Sequence, residues 1–245
     1  MKNNSVFIIA ELSANHGGDI EVAKKNIRVA KRTGTDVTKL QTYTADTITL
    51  NSNKKDFIIK GTIWEGRKLY DLYEEACLPW EWHAELFKTA KNEGLVCFSS
   101  PFDKTAVDLL EELGNPIYKI ASFEITDIPL IEYVASKGKS MILSTGIAEY
   151  DDIKLAIETC RNVGNNDITI LKCTSSYPAP IEEANMLMMQ RFAKDFNVKV
   201  GLSDHTLGTT VPVVATALGA TVIEKHFILD KSIGGPDASF SLDEK

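Results

Sequence analysis

The sequence lacks an excess of positive charge and a long apolar run. Its 27 Lys and Arg against 34 Asp and Glu give a net charge of −7. No basic face stands out, so a nucleic-acid-binding role lacks the electrostatic footprint that it needs. No apolar run approaches the roughly 18 residues of a membrane span, and the apolar part of the N-terminal MKNNSVFIIAE is too short for a signal peptide. We therefore expect neither nucleic acid nor a membrane as a partner.

Cysteine is scarce, and the four cysteines show no Cys-x-x-Cys spacing. Cys97 and Cys173 lie inside apolar, strand-like runs, so the pattern predicts buried, reduced thiols in a cytoplasmic protein. No G-x-G-x-x-G motif follows the first predicted strand, which counts against a dinucleotide-binding fold. The hydrophobic fraction of 44% and the charged fraction of 25% are ordinary for a globular protein.

Short β-branched runs alternate with helical patterns eight times along the chain. Most runs are continuously apolar, as expected for parallel strands that are buried on both faces. The first helix is predicted to begin at Asp19, a good N-cap, and to stop at Gly34. Eight strand–helix units in 245 residues predict an α/β fold, the (β/α)8 TIM barrel, rather than an open sheet. The predicted strands span 6–11, 37–41, 96–101, 117–122, 141–145, 168–173, 199–204 and 221–227.

Two segments interrupt this regular pattern. Residues 43–79 form an insertion after the second strand that is rich in aromatic residues and glycine. It is expected to be either a lid over the barrel mouth or an oligomer contact. The chain stops at Lys245, where SLDEK resembles the start of an eighth helix. Residues 1–245 are therefore expected to be a catalytic barrel that is cut at the start of that helix.

Polar residues follow every predicted strand at its carboxyl end, where barrel enzymes place their active sites. A purely structural barrel would not need them, because a buried polar group without a partner costs a few kcal/mol. The pattern therefore indicates an enzyme. The polar residues at the strand ends include Glu11, Lys39, Ser100, Lys119, Ser122, Glu124, Ser175, Tyr177, Ser203, His205 and His226.

The histidines indicate a metal site within this set. Three of the four, including His16, fall at the strand ends, whereas His83 lies on a predicted helix. A single histidine is more often structural than a ligand, but His205 and His226 end adjacent strands and can meet in one mouth. Two imidazoles near a carboxylate suit a divalent cation such as Mn²⁺ or Zn²⁺. The acidic residues expected nearby are Glu11, Asp204 and Asp237.

Two lysines within strands indicate an anion site. Lys39 and Lys119 are costly in a barrel interior unless they meet negative charge. With neutral hydroxyl donors around them, they would form a cage for a phosphate and a carboxylate. In the alternative, each lysine simply pairs with a barrel carboxylate such as Glu124 or Glu224. The hydroxyl donors of the cage are Ser100, Ser122, Ser175 and Ser203.

Nine motifs resemble, in order and spacing, those of the sialic acid synthase family, and they cover nearly the whole chain. Within the family, the insertion and the stretch FSSPFDKTAVD are most similar to the pseudaminic acid synthases. The motifs are FIIAELSANHGG, KLQTY, FSSPFD, YKIASFEITDIPLI, ILSTG, KCTSSYPAP, GLSDHTLG, EKHF and GGPDASFS.

The resemblance implies an enzyme that condenses phosphoenolpyruvate with an amino-sugar aldehyde, with loss of phosphate. It implies a divalent metal ion, Mn²⁺, Mg²⁺ or Co²⁺, bound by His205 and His226. Glu11, which would manage the attacking water, joins the two histidines as a catalytic residue. Ser175 departs from the family, because many N-acetylneuraminate synthases have Asn there. The residues that would bind substrate are Lys39, Ser100, Lys119, Ser122, Glu124, Ser175, Tyr177, Ser203 and Asp237.

The family normally carries a C-terminal antifreeze-like domain that delivers an arginine to the partner subunit. The full-length protein is therefore expected to be a homodimer, and this chain to lack that domain. The alternatives are an N-acetylneuraminate or legionaminate synthase, another phosphoenolpyruvate-condensing barrel, and a truncated, inactive barrel that serves as a binding or assembly subunit.

Overall fold

Eight parallel strands close into a barrel in their order along the chain. The computed structural model describes residues 5–245, and it confirms the predicted TIM barrel. Three predicted strands match the observed bounds, and the other five differ by one or two residues at one or both ends. The strands are β1 Phe7–Glu11, β2 Val37–Thr42, β3 Val96–Pro101, β4 Ile117–Ile120, β5 Ser140–Ser144, β6 Ile168–Cys173, β7 Lys199–Asp204 and β8 Val222–His226.

Helices cover the outside of the barrel. The first begins as predicted, with the side chain of Asp19 accepting from the amide of Glu21, and Gly34 follows its end with φ +89°. No helix among residues 5–245 combines the length and the apolar character needed to cross a bilayer. The α-helices are α1 Ile20–Arg32, α2 Ala45–Ile48, α3 Leu69–Ala76, α4 His83–Asn92, α5 Lys104–Glu112, α6 Ile128–Ala135, α7 Tyr150–Asn162, α8 Leu187–Phe196 and α9 Thr210–Ala217.

The barrel interior consists of an apolar layer below a polar layer. Ile9, Phe98 and Leu171 belong to one buried apolar cluster with side chains from three other strands. Because side chains return to the same face every second residue, the next inward position on each strand lies nearer the carboxyl end. On β1 this position follows Ile9 and is Glu11, and on β8 it follows Val222 and is Glu224. Along these strands the interior therefore changes from apolar side chains to polar ones within two residues, and the polar side chains of β1, β2 and β8 are charged.

The cysteines form no disulfide. All four are free, with Cys97, Cys160 and Cys173 buried and Cys77 half-buried. Burial raises the pKa of Cys97 to about 12, so this thiol stays protonated at neutral pH. The expectation of buried thiols is confirmed for three of the four.

Residues 43–79 run from the end of β2 towards α4 and contain α2, α3 and a short 3-10 helix, Lys55–Phe57. An isolated antiparallel bridge joins Ile58 to Lys68. Trp64, which lies between these two residues in the chain, donates its indole N–H to the carbonyl oxygen of Pro236 (3.1 Å). The insertion therefore contacts the loop that follows β8.

Residues 241–245 do not begin a helix. The amide of Leu242 donates to the carbonyl of His226, and the amide of Ile228 donates back to Leu242, both at 2.8 Å. These bonds form a parallel bridge between Phe227 and Leu242. The helix expected to start in SLDEK is thus replaced by extended chain beside the end of β8.

Gly201 on β7 gives a test of how tightly the apolar layer is packed. A methyl group here would overlap the carbonyl oxygen of Val222 and lie 2.8 Å from Cδ2 of Leu171. We expect Gly201→Ala to lower the free energy of unfolding by about 3 kcal/mol, the upper end of the usual cost of overpacking, because the added methyl group meets backbone that must move. Gly94→Ala is the control, since its space is open and only its positive φ is strained, at about 1–2 kcal/mol. Equal losses in urea unfolding would contradict the prediction.

Candidate active site

The polar layer is built around one carboxylate oxygen. Oε1 of Glu224 accepts from Nζ of Lys39 (2.9 Å), from Nζ of Lys119 (3.3 Å) and from Oγ of Ser203 (3.3 Å). Glu11 forms a second ion pair with Lys39. All five residues are buried. We call Glu11, Lys39, Lys119, Ser203 and Glu224 the charge cluster.

The two lysines of the charge cluster differ in how well they are neutralised. Burial by itself raises the pKa of Glu224, but the two lysines outweigh burial and hold its pKa at about 2. Burial also opposes the charge of Lys39, yet Glu11 and Glu224 together raise its pKa. The pKa of Lys119 is lowered by burial, which Glu224 only partly offsets, and Lys39 lowers it further. Lys119 is therefore the cation with the weaker counterion.

The two lysines thus pair with a carboxylate of the barrel, as in the alternative to an anion cage, and both share the same partner, Glu224. Both nevertheless point at one oxygen, as an anion cage requires. Among the described residues, three buried hydroxyls near the carboxyl ends of β3, β5 and β6 have no hydrogen-bond partner, and such groups cost free energy unless a ligand satisfies them. The hydroxyl oxygens concerned are those of Ser100, Ser144 and Ser175.

Gly146, just after β5, brings two of the predicted serines together. Its amide donates to Oγ of Ser122 (3.0 Å). A methyl group on Gly146 would overlap Oγ of Ser175 and lie 2.8 Å from Oγ of Ser122. A glycine therefore follows β5 because two hydroxyls, from the segments after β4 and β6, occupy the space that a side chain would need.

His205 and His226 meet in the barrel mouth, as predicted from their strands. Their ring centroids lie 5.4 Å apart. Nδ1 of His205 lies 2.8 Å from the carbonyl oxygen of Thr174, so this nitrogen carries the hydrogen and Nε2 is left for a ligand. Nδ1 of His226 is buried without a hydrogen-bond partner and lies 3.6 Å from Oδ2 of Asp237.

This pair fits a divalent cation. A metal-binding histidine commonly donates its other ring N–H to a backbone carbonyl, as His205 does to Thr174, and the unsatisfied nitrogen of His226 is a second donor. Residues 5–245 contain no group of three or more His, Cys, Asp or Glu side chains placed to hold a metal ion. The two imidazoles would therefore share the ion with water or substrate.

The other two histidines have structural partners. Nδ1 of His16 accepts from the amide of Gly18 (3.1 Å), and Nε2 lies 3.2 Å from the carbonyl of Ala76. Nε2 of His83 lies 2.8 Å from Oγ1 of Thr42. His16 thus fastens the insertion to the loop after β1, although its position at a strand end also suited a ligand.

The loop after β8 carries Asp237 into the site. Oδ2 of Asp237 accepts from the amide of Ala14 (3.4 Å). The hydroxyl of Ser241 donates to the carbonyl of Asp237 (2.7 Å) and accepts from the side-chain amide of Asn15 (2.8 Å). The loops after β1 and β8 are therefore bonded to each other at the side of His226.

Residues 26–245 match the NeuB family. The chain belongs to this family. It is 54% identical over 236 residues to a pseudaminic acid synthase of Helicobacter pylori, covering 96% of this chain and 69% of that protein. It is 53% identical over 241 residues to a pseudaminic acid synthase of Campylobacter jejuni, covering 98% and 70%. The predicted resemblance to sialic acid synthases, and among them to pseudaminic acid synthases, is confirmed.

A crystal structure from the same family has the same fold. The N-acetylneuraminic acid synthetase of Leptospira borgpetersenii superposes with a TM-score of 0.88 at 30% identity, covering 99% of this chain and 82% of that one. The likeness extends over the whole barrel, including the strands that carry the charge cluster and the paired histidines.

The site of this NeuB-family chain contains residues that the sequence did not single out. Glu224 was expected only as a polar group at the end of its strand and as a partner for the lysines, although it lies at an inward position two residues before His226. Ser144 was expected only as a polar group at the end of β5, although its two-residue spacing from Ile142 points it into the site. Gly146 has no such signal, because its role follows from the approach of Ser122 and Ser175.

Glu124, in the 3-10 helix after β4, gives a pH test. Burial raises its pKa to about 7, and its Oε2 is buried without a partner. A raised carboxyl pKa stabilises the fold below the unfolded value near 4.3, and this stabilisation is lost as the pH rises through 7. When the pH rises from 5 to 8, the free energy of unfolding should fall in both chains. We expect the fall to be smaller in Glu124→Gln than in the unaltered chain, by on the order of 2–3 kcal/mol.

Glu112→Gln is the control, because Glu112 lies on the outer helix α5. It should follow the unaltered chain at both pH values in urea unfolding. Identical pH dependence in Glu124→Gln and the unaltered chain would show that Glu124 ionises normally in the folded state.

Proposed function

We propose that this chain condenses phosphoenolpyruvate with an amino-sugar aldehyde, a 2,4-diacetamido-2,4,6-trideoxyhexose, giving pseudaminic acid and phosphate. The observation that carries the proposal is the charge cluster beside the paired histidines: a buried site for an anion, next to a site for an aldehyde. The pseudaminic acid synthases of Helicobacter pylori and Campylobacter jejuni, at 54% and 53% identity, support the choice of product.

The phosphate and carboxylate of phosphoenolpyruvate would bind at Lys39 and Lys119. Lys119 gains most from a new anion, because Glu224 only partly neutralises it. Charge-assisted hydrogen bonds to the two ammonium groups are the strongest contacts that this site can offer. The neutral donors around them would be the hydroxyls of Ser100, Ser122, Ser144, Ser175 and Ser203.

The reaction forms a carbon–carbon bond and a bond from C2 to the oxygen of water, and it breaks the bond from C2 to the phosphate oxygen. The electron pair of the C2–C3 double bond of phosphoenolpyruvate attacks the aldehyde carbon, whose oxygen takes a proton and becomes a hydroxyl. Water adds at C2, the C2–O bond to the phosphate then breaks, and C2 is left as a ketone. Glu11 would accept the proton of the water, since it lies in the charge cluster where C2 would be held, whereas Glu224 is paired with both lysines.

His205 and His226 would hold a divalent cation, Mn²⁺, Mg²⁺ or Co²⁺, which when bound supplies a Lewis acid that polarises the aldehyde oxygen. The carbonyl of Thr174 keeps His205 in the tautomer that leaves Nε2 available. Tyr177, whose ring centroid lies 4.2 Å from that of His205, and Asp237, beside His226, would line the path of the sugar.

Lys119→Met tests the anion site. The substitution keeps the aliphatic stem and removes the charge, while Lys39 still neutralises Glu224. We expect phosphoenolpyruvate binding, measured by calorimetry, to weaken by about 1.5–3 kcal/mol, the range for a hydrogen bond to a charged group. Lys139→Met is the control, because Lys139 pairs with Glu111 outside the barrel. Unchanged binding in Lys119→Met would mean that Lys119 is only a structural partner of Glu224.

Release of phosphate from phosphoenolpyruvate tests the reaction itself. We expect release only when an amino-sugar aldehyde is present, and fastest with the 2,4-diacetamido-2,4,6-trideoxyhexose that leads to pseudaminic acid. A panel should include N-acetylmannosamine and the stereoisomer that leads to legionaminic acid. Faster release with either of these would replace the proposed product, and no release with any aldehyde would refute the proposal.

A further inference from the structure

An aromatic wall runs outward from the paired histidines. The ring centroid of Tyr177 lies 4.2 Å from His205 and 6.1 Å from His226. Phe240 lies 5.2 Å from Tyr177 and 5.0 Å from His226. Trp64 lies 5.9 Å from Tyr177 and 6.3 Å from Phe240. We call Trp64, Tyr177 and Phe240 the aromatic wall.

Trp64 is held at the outer end of this wall from two sides. The strap that carries it, residues 58–68, is closed by the amide of Ile59 donating to Arg67 (2.8 Å) and the amide of Gly66 donating to Ile59 (2.9 Å). On the other side, the indole N–H donates to the carbonyl of Pro236 (3.1 Å). Pro236 immediately precedes Asp237, so the strap is fastened next to the site.

This arrangement leaves Trp64 with no polar group for a ligand. The single indole donor is already used by Pro236, so the ring can offer only its apolar surface. Such a surface binds a methyl group well, but it gives no partner to a hydroxyl that has left water, and that loss costs free energy. The end of a sugar that reaches Trp64 is therefore favoured when it is apolar.

The order of the rings along the wall indicates which end of the sugar would reach Trp64. The aldehyde reacts at the histidines, and the wall leads from there through Tyr177 to Trp64. An open-chain sugar with its aldehyde at the histidines would extend its terminal carbon along this wall.

We infer that Trp64 is a specificity-determining residue, which selects an amino sugar that ends in a methyl group over one that ends in a hydroxymethyl group. This inference rests on the proposed function, since it requires the condensation to occur at this site. It assigns the insertion a role in substrate choice, through one residue of the strap.

The test compares two aldehydes that differ only at the terminal carbon, the 6-deoxy sugar and its 6-hydroxy counterpart. The measured quantity is the ratio of their kcat/KM values in phosphate release. In Trp64→Gln a side chain that can hydrogen-bond a hydroxyl replaces the ring, and we expect the ratio to fall at least tenfold, chiefly through the KM for the sugar. The KM for phosphoenolpyruvate should stay within twofold.

Two further variants separate selection from damage to the strap. Trp64→Phe keeps an aromatic face, so it should retain most of the preference. Trp80→Phe is the matched control, because Trp80 directly follows the insertion and donates its indole N–H to the backbone carbonyl of the insertion's first residue, Tyr43 (3.1 Å), but it is not part of the wall. Its ratio should equal that of the unaltered chain.

Each outcome decides between the two proposals. A ratio in Trp64→Gln that stays within twofold of the unaltered chain, in an enzyme that remains active, overturns the inference and leaves the proposed function intact. The same ratio shift in Trp80→Phe also overturns it, since the effect would then belong to the insertion as a whole. No phosphate release by the unaltered chain with either sugar refutes the proposed function, and the inference falls with it.

Discussion

The carboxylate of Glu224 between Lys39 and Lys119 is the interaction on which the rest of the site depends. Three strands, β2, β4 and β8, send these charges to one point inside the barrel, where both lysines donate to the same oxygen. Removing either sign alone would leave uncompensated charge in a buried place, at a cost of several kcal/mol. The cluster is balanced without a ligand, but unevenly, because Glu11 neutralises Lys39 a second time and leaves Lys119 under-neutralised. A site of this kind holds its cations in place and can still gain from an incoming anion.

The histidines depend on a second buried ion pair, on the outside of the barrel wall. Lys225 donates to the carboxylate of Asp204 and to the carbonyl of Thr206. Asp204 in turn accepts from the amide of Thr206 (3.0 Å). The chain is therefore fixed on both sides of His205, while β8 carries His226 next to Lys225. Because successive side chains of a strand point to opposite faces, Asp204 and Lys225 lie outside the barrel while the neighbouring residues His205 and His226 lie inside it.

Sequence reasoning located the strands closely because buried parallel strands are continuous apolar runs that turns interrupt. It was less accurate where a contact with a distant segment of the chain decides the local structure or the role of a side chain. Ser241–Lys245 has the composition of a helix start, but the backbone of His226 and Ile228, at and just beyond the end of β8, offers Leu242 hydrogen bonds, and the chain stays extended. His16 has the sequence position of a ligand, but Gly18 and Ala76 use both of its ring nitrogens, and Ala76 comes from an insertion whose path local patterns do not reveal.

Strand periodicity and strand order are enough to predict the barrel, the end at which polar groups collect, and the pairing of His205 with His226. The three-dimensional fold was needed to find that Glu224 is shared by both lysines, that Gly146 makes room for Ser122 and Ser175, and that Trp64 reaches Tyr177 and Phe240. These are contacts between segments far apart in the chain, and they depend on how the closed barrel turns its strands and loops towards one axis. No local pattern carries that information.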